Sequence, residues 1–239
     1  MVINTIFPDL IFIITYSPNL ISLHIRAVWF DNAFAGSANG SLKLPFLREL
    51  TLEGFQPGAK FVLELLNALD APALSSLNLL VGEPEWGEVQ GELAAPKVST
   101  LPKLTFLSII GQEHLPEIDG MTALFEFIPA LHSLKLVRLS GRWVKIGAAL
   151  RDGAPKLRRV EIEDCDITLN DLASLFRIRT SHTSQPGDRE TLELIAVRRC
   201  LAIHPAVAVA MKKRTRHFEW EFEWKDPETD SNIVDAPRS

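Results

Sequence analysis

The apolar positions of this chain recur in a fixed frame. The string Pro-x-Leu-x-x-Leu-x-Leu, with conservative swaps, starts at Pro18, Pro45, Pro72, Pro102, Pro129 and Pro155, at intervals of 27, 27, 30, 27 and 26 residues. The units read PNLISLHI, PFLRELTL, PALSSLNL, PKLTFLSI, PALHSLKL and PKLRRVEI. A degenerate seventh, GDRETLEL, starts at Gly187 and keeps only Leu192 and Leu194. Within Leu-x-Leu the period is two, so both leucines face one side of a short strand and the residues between them face the other. This predicts strands near 20–26, 47–53, 74–80, 104–110, 131–137, 157–163 and 189–195. The proline ahead of each has no N–H and favours a turn or extended approach, which marks where the strand begins.

One such unit cannot bury its own leucines. Stacked side by side, the units form a parallel sheet with a continuous apolar seam behind it. Connections of about 20 residues return the chain to the same end, as right-handed crossovers do. Ala59 to Leu69 carries Phe61, Val62, Leu65, Leu66 and Leu69 at helical spacing. Helices are also expected over Thr122 to Ile128, over Asn170 to Ile178 with Asn170 as cap and Asp171 as first-turn acid, and from Pro205 toward Arg216. Residues 31–41 and 82–97 read as irregular, the latter an acidic loop around Trp86.

Phrases such as LPFLRELTLEGF, APALSSLNL and APKLRRVEIEDCDI, with the closing CLAIHP before a basic helix, resemble the leucine-rich repeats that follow the F-box in fungal F-box proteins. Cys165 falls in the turn after a strand, where the cysteine-containing subclass of these repeats has its Cys. The resemblance covers roughly residues 18–205. It implies an α/β leucine-rich-repeat solenoid of about seven irregular repeats, with parallel strands on the concave side and helices and irregular loops outside. On this reading residues 1–205 form the array, 206–225 a C-terminal cap of helix plus strand, and 226–239 a disordered tail. The Leu-Pro-x-Glu helical module that carries the F-box itself is not present in this chain. Residues 2–17 are expected to be the helix of an earlier repeat, as in a fragment or a mis-started gene.

Composition changes this picture little. Thirty-four leucines among 239 residues supply the seam, and 46% apolar content with a net charge of −5 excludes a disordered chain. A dedicated nucleic-acid binder would carry a large basic face. Residues 2–14 are broken by Pro8 and Asp9 and lack a basic start, so neither a signal peptide nor a membrane span is expected. The Asn39-Gly40-Ser41 sequon then reads as a turn. Two cysteines make no disulfide framework, which places the chain inside the cell, in cytoplasm or nucleus.

Signatures of catalysis are missing: the sequence holds no Gly-x-Ser-x-Gly, no phosphate loop, no Gly-x-Gly-x-x-Gly and no His-Glu-x-x-His. Asp164 to Asn170 alternates oxygens like a calcium loop, yet Leu169 and Leu175 stand where a Gly and a bidentate Glu are required. Six scattered histidines lack ligand spacing, and Cys165 and Cys200 read as small buried residues. No enzyme, metal or cofactor is expected. Lys212 to Arg216 reads as the solvated end of a helix, with an import signal as the alternative. His217 to Trp224 alternates aromatic and acidic residues, as in a strand closing the last repeat or in an acidic partner site.

Repeats of this kind work through the concave sheet. The residues before each last leucine are His24, Thr51, Asn78, Ser108, Lys135, Glu161 and Glu193; those after it are Arg26, Glu53, Leu80, Ile110, Val137, Glu163 and Ile195. Leu80, Ile110 and Val137 fall in adjacent repeats, and Phe106 shares their side. Such an apolar group on a nominally exposed face marks a binding site, unless these positions fold under the next loop as core. The candidate partner-binding set is Leu80, Phe106, Ile110, Val137, Lys135, Glu161 and Glu163. The resemblance implies a non-catalytic substrate adaptor for a cullin-type ubiquitin ligase, monomeric outside a complex. A free-standing scaffold or sensor is the alternative, and a repeat-based GTPase activator has no rim Arg to support it.

Overall fold

Each proline starts a turn that aims the chain into a strand. The N–H groups of Leu20, Leu47, Leu74, Leu104, Leu131 and Leu157 donate to the carbonyls of Ser17, Leu44, Ala71, Leu101, Ile128 and Ala154, three residues back. That is a β-turn with proline as its second residue, where a φ fixed near −65° is already correct. The computed structural model describes residues 2–5, 16–27, 42–54, 65–66, 68–81, 101, 103–111, 122–125, 127–168, 170–173, 175, 192–200 and 219–223.

The strands are β1 (Val2–Thr5), β2 (Ser22–Ala27), β3 (Leu42–Lys43), β4 (Glu49–Glu53), β5 (Leu69–Asp70), β6 (Ser76–Val81), β7 (Phe106–Gly111), β8 (Ser133–Val137), β9 (Arg159–Glu163), β10 (Leu194–Arg198) and β11 (Glu219–Glu223). Nine of them make one sheet in the order β1-β2-β4-β6-β7-β8-β9-β10-β11, and β3 and β5 pair separately. Every pairing is parallel. At the strand entries one carbonyl receives two successive N–H groups from the next strand: Ile21 from Arg48 and Glu49, Arg48 from Ser75 and Ser76, and so on to Arg158 from Glu193 and Leu194. The fold is α/β, with helices against one face of the sheet.

The register stacks the repeat leucines into columns. Leu23, Leu50, Leu77, Leu107, Leu134, Val160 and Ile195 form one; Ile25, Leu52, Leu79, Ile109, Leu136, Ile162 and Val197 form the next. All of these are buried in a single core cluster. Behind them pack Leu65, Leu66, Leu124, Phe125, Leu172 and Leu175 from the connections, together with helices α1 (Thr122–Phe125) and α2 (Trp143–Gly153).

Several expectations change. The seventh strand is 194–198, not 189–195. Leu192 is buried as the equivalent of Leu157, while Ile195 and Val197 take the two core columns. The run Leu194-Ile195-Ala196-Val197 has no alternation to fix the frame and no proline turn ahead of it, so period alone cannot choose the register. Residues 2–5, expected to be helical, form β1, as β-branched Val2, Ile3 and Thr5 favour. Leu69, placed on a helix from its spacing, lies in β5, whereas Leu65 and Leu66 are helical. Helix α2 was not anticipated, although Trp143, Ile146, Gly147 and Leu150 carry its buried stripe. Residues 170–173 and 175 are helical as expected, but the cap is Thr168, not Asn170: the Asp171 N–H donates to the Thr168 hydroxyl (3.3 Å), and Thr168 donates its N–H (3.0 Å) and hydroxyl (2.5 Å) to the Asp171 carboxylate. The expectations at 31–41, 59–64, 82–97, 176–178, 205–216 and 226–239 lie outside the described residues.

Candidate partner-binding face

The sheet face opposite the leucine columns presents three rows. The first is Ser22, Glu49, Ser76, Phe106, Ser133, Arg159 and Leu194. The second is His24, Thr51, Asn78, Ser108, Lys135, Glu161 and Ala196. The third is Arg26, Glu53, Leu80, Ile110, Val137, Glu163 and Arg198. β11 pairs beyond β10 with Glu219, Glu221 and Glu223 in register with Leu194, Ala196 and Arg198, and Trp220 and Phe222 with Ile195 and Val197.

All seven candidate residues lie on this face. Leu80 pairs with Ile110 and Ile110 with Val137, so the register brings the three together. Leu80, Phe106 and Ile110 are half-buried. Of the two readings left open for these positions, exposed patch or core, Val137 comes nearer to core: it is 8% exposed, though outside the core cluster. Lys135, two residues earlier on the same face, reaches diagonally to Glu163 on β9 (Nζ to Oε2, 3.5 Å). Between Leu80 and Phe106 the second row carries only the short polar Asn78 and Ser108, so nothing bulky separates the apolar side chains. Asn78 donates to the Thr51 hydroxyl at 3.4 Å.

Charges frame the patch and are largely paired. On one side Glu53 is held by His24 Nε2 at 2.9 Å and by Arg26 Nε at 3.3 Å. On the other, Glu163 is shared between Lys135 and Arg199, Arg199 also holds Asp164 (3.1 Å), and Arg198 holds Glu161 (3.3 Å). The residue following the strand takes a left-handed conformation at Gly54 (φ 72°), Arg138 (52°), Asp164 (51°) and Arg199 (54°). Its N–H still reaches the neighbouring strand: Gly54 donates to Leu80 O, Arg138 to Glu163 O and Asp164 to Arg198 O. This sharp exit lifts Arg199 toward the acids of β9. The sequence did not flag that residue, and only the doubled Arg198-Arg199 after a strand hints at it.

The two cysteines lie behind the sheet and are free and buried. Cys165 Sγ lies 3.3 Å from Glu163 O and 3.5 Å from Leu136 O; Cys200 Sγ lies 3.4 Å from Arg198 O. Burial pushes the Cys165 thiol up to about 12 and the Cys200 thiol up to about 11, so both stay protonated at neutral pH. The Trp143 indole N–H donates to Asp166 O at 2.6 Å and fixes the bend that follows β9. Among the described residues no group of three His, Cys, Asp or Glu is placed to hold a metal ion, and no helix is long and apolar enough to cross a membrane. Compared with known proteins, the sequence matches no family and no curated protein.

Proposed function

We propose that this chain is a leucine-rich-repeat solenoid that recognises a protein partner through the front rows of its sheet and performs no chemistry. The observation carrying this is the register-aligned apolar group Leu80, Ile110 and Val137, flanked by paired charges, on a face away from the core. A wholly parallel sheet ordinarily needs cover on both faces. An apolar centre with a polar, ion-paired surround has the layout of an interface core and rim. The resemblance to the repeats behind F-boxes makes the partner a substrate of a cullin-type ubiquitin ligase.

Ile110→Glu tests the recognition. It should abolish partner capture while far-UV circular dichroism and thermal unfolding stay close to wild type. Collapse of the fold would instead make the position core. The ligase part has its own test. The transcript upstream of the Met1 codon should encode an F-box module; finding none there or elsewhere in the locus leaves a free-standing scaffold.

A further inference from the structure

Cys165 and Cys200 are brought side by side by the sheet register. Glu163 of β9 and Arg198 of β10 are strand partners, and each cysteine follows two residues later. Between lie Asp164 and Arg199, both left-handed (φ 51° and 54°), so the two chains leave the sheet by the same bend. The side chains share a pose as well. Each sulfur lies near the carbonyl two residues back, at 3.3 Å for Cys165 and 3.4 Å for Cys200. Each also reaches toward the preceding strand, Cys165 to Leu136 O at 3.5 Å and Cys200 to Ile162 O at 4.0 Å. The Cys200 sulfur therefore comes against the exit of β9, where it receives the Cys165 backbone N–H.

This spacing suits a covalent bridge. Neighbouring strands lie about 4.8 Å apart, within the roughly 4.4–6.8 Å that separates the Cα atoms of a disulfide. Because Cys200 Sγ already meets the Cys165 backbone, turning the Cys165 side chain off the Leu136 carbonyl is the one rotation needed to bring sulfur to sulfur. Both thiols are free, and at 4% and 3% exposed they are closed to solvent while the strands are docked. An oxidant reaches them only when β10 lifts from β9 in a local opening.

We propose that Cys165 and Cys200 form a redox site, which a small-molecule disulfide oxidises to a bridge between the exits of β9 and β10. When β10 lifts, the Cys200 thiol loses its proton to water and attacks the oxidant RSSR, giving Cys200–S–S–R and RS⁻, which takes a proton. The close-packed core has no room for R. As β10 redocks, the Cys165 sulfur gives up its proton, attacks the Cys200 sulfur and expels the second RS⁻, which is protonated in turn. The two thiols and RSSR thus become one protein disulfide and two RSH, the cysteines losing the two electrons that the oxidant gains. Excess thiol runs the same exchange backwards. The bridge lies directly behind the ion pairs of Arg199 with Glu163 and Asp164, so it holds the charged side of the front face against opening.

The test equilibrates the full chain with mixtures of reduced and oxidised glutathione, approached from both sides and quenched in acid. The intact mass should fall by two hydrogens, and trypsin should release residues 160–177 joined to residues 200–212. The glutathione ratio at half conversion gives the effective concentration of one thiol for the other, which should be at least about tenfold higher in native buffer than in denaturant. The urea midpoint should rise on oxidation and return on reduction, while Cys165→Ala with Cys200→Ala should ignore glutathione. An effective concentration no higher than in denaturant shows that the fold holds the thiols apart and overturns the site. Glutathione adducts in place of the bridge, a chain that stays reduced at every ratio, or a urea midpoint that falls on oxidation overturns it equally. Partner recognition by the front face stands or falls separately.

Discussion

Strands β6 to β8 and strands β9 to β10 are alike on the core side and opposite on the other. Both groups send two aliphatic residues per strand into the same columns, Leu77 and Leu79 in one group and Val160 and Ile162 in the other. On the front, the third row is Leu80, Ile110 and Val137 in the first group but Glu163 and Arg198 in the second. The contrast separates two kinds of constraint. A core position must fit its column neighbours at close-packed density, so the repeat holds it to Leu, Ile or Val. Most front positions are only partly buried, with Ser108, Val137 and Ala196 the buried ones, so adjacent repeats differ more freely there. On the proposed function, recognition would be written in those front-row differences.

The contrast is sharpened most by substituting neighbours on opposite faces. Leu134 is 0% exposed in the core column, and Leu134→Ala should cost roughly 2–5 kcal/mol in urea unfolding, by lost transfer energy plus the cavity left behind. Lys135→Ala, one residue away on the front, should cost under about 1 kcal/mol, as half-exposed ion pairs do. Equal costs would erase the distinction between the faces.

Behind the sheet, Cys165 and Cys200 should resist a thiol reagent such as 5,5′-dithiobis(2-nitrobenzoate) in the native chain and react at once in denaturant. Their burial also sets an alkaline limit. Both thiols are raised above 9.0, so folding keeps them protonated where the unfolded chain would ionise. The stability this contributes is complete below pH 9 and is lost as pH rises toward about 11 for Cys200 and about 12 for Cys165. Replacing both with Ala should flatten the decline in melting temperature above pH 9.

Smaller effects belong to the charged half of the front. Glu163→Gln loosens Lys135 and Arg199 together and should cost about 1 kcal/mol, less at high salt. An undiminished loss at high salt would place the pair in the core rather than on a surface. The smallest change is Arg138→Asn at a left-handed exit (φ 52°). Asn tolerates that conformation better than Arg, so a gain of about 0.5 kcal/mol in denaturant unfolding is expected.

The core face was legible because Leu-x-Leu has the period of a strand and proline marks its entrance. The adjacency of Leu80, Ile110 and Val137 followed from the same count. What the sequence hid depended on other residues. Val137 sits in a front row by period, yet it is buried. The frame at Leu194 to Val197 needed its strand partners, because four apolar residues in a row fit more than one register. The Thr168-x-x-Asp171 cap and the Trp143, Ile146, Gly147, Leu150 stripe were in plain view, but they fall between units and the repeat drew attention away from them. The left-handed exits at Arg138, Asp164 and Arg199 could not be read, since none is a glycine.

The strand order also sets how the molecule comes apart. Partner residues in the main sheet are separated by 22 residues (Val2 and His24) up to 35 (Arg159 and Leu194), so each strand docks on one just made or about to be made. Closing a loop costs only about 0.6 kcal/mol more for each doubling of its length, so every docking step carries nearly the same entropic toll. Assembly can then start at any sufficiently apolar pair and spread both ways, as in a zipper. Under a pulling force applied to the two ends of the chain, the sheet should surrender edge strands one after another, in a train of similar small steps rather than a single rupture.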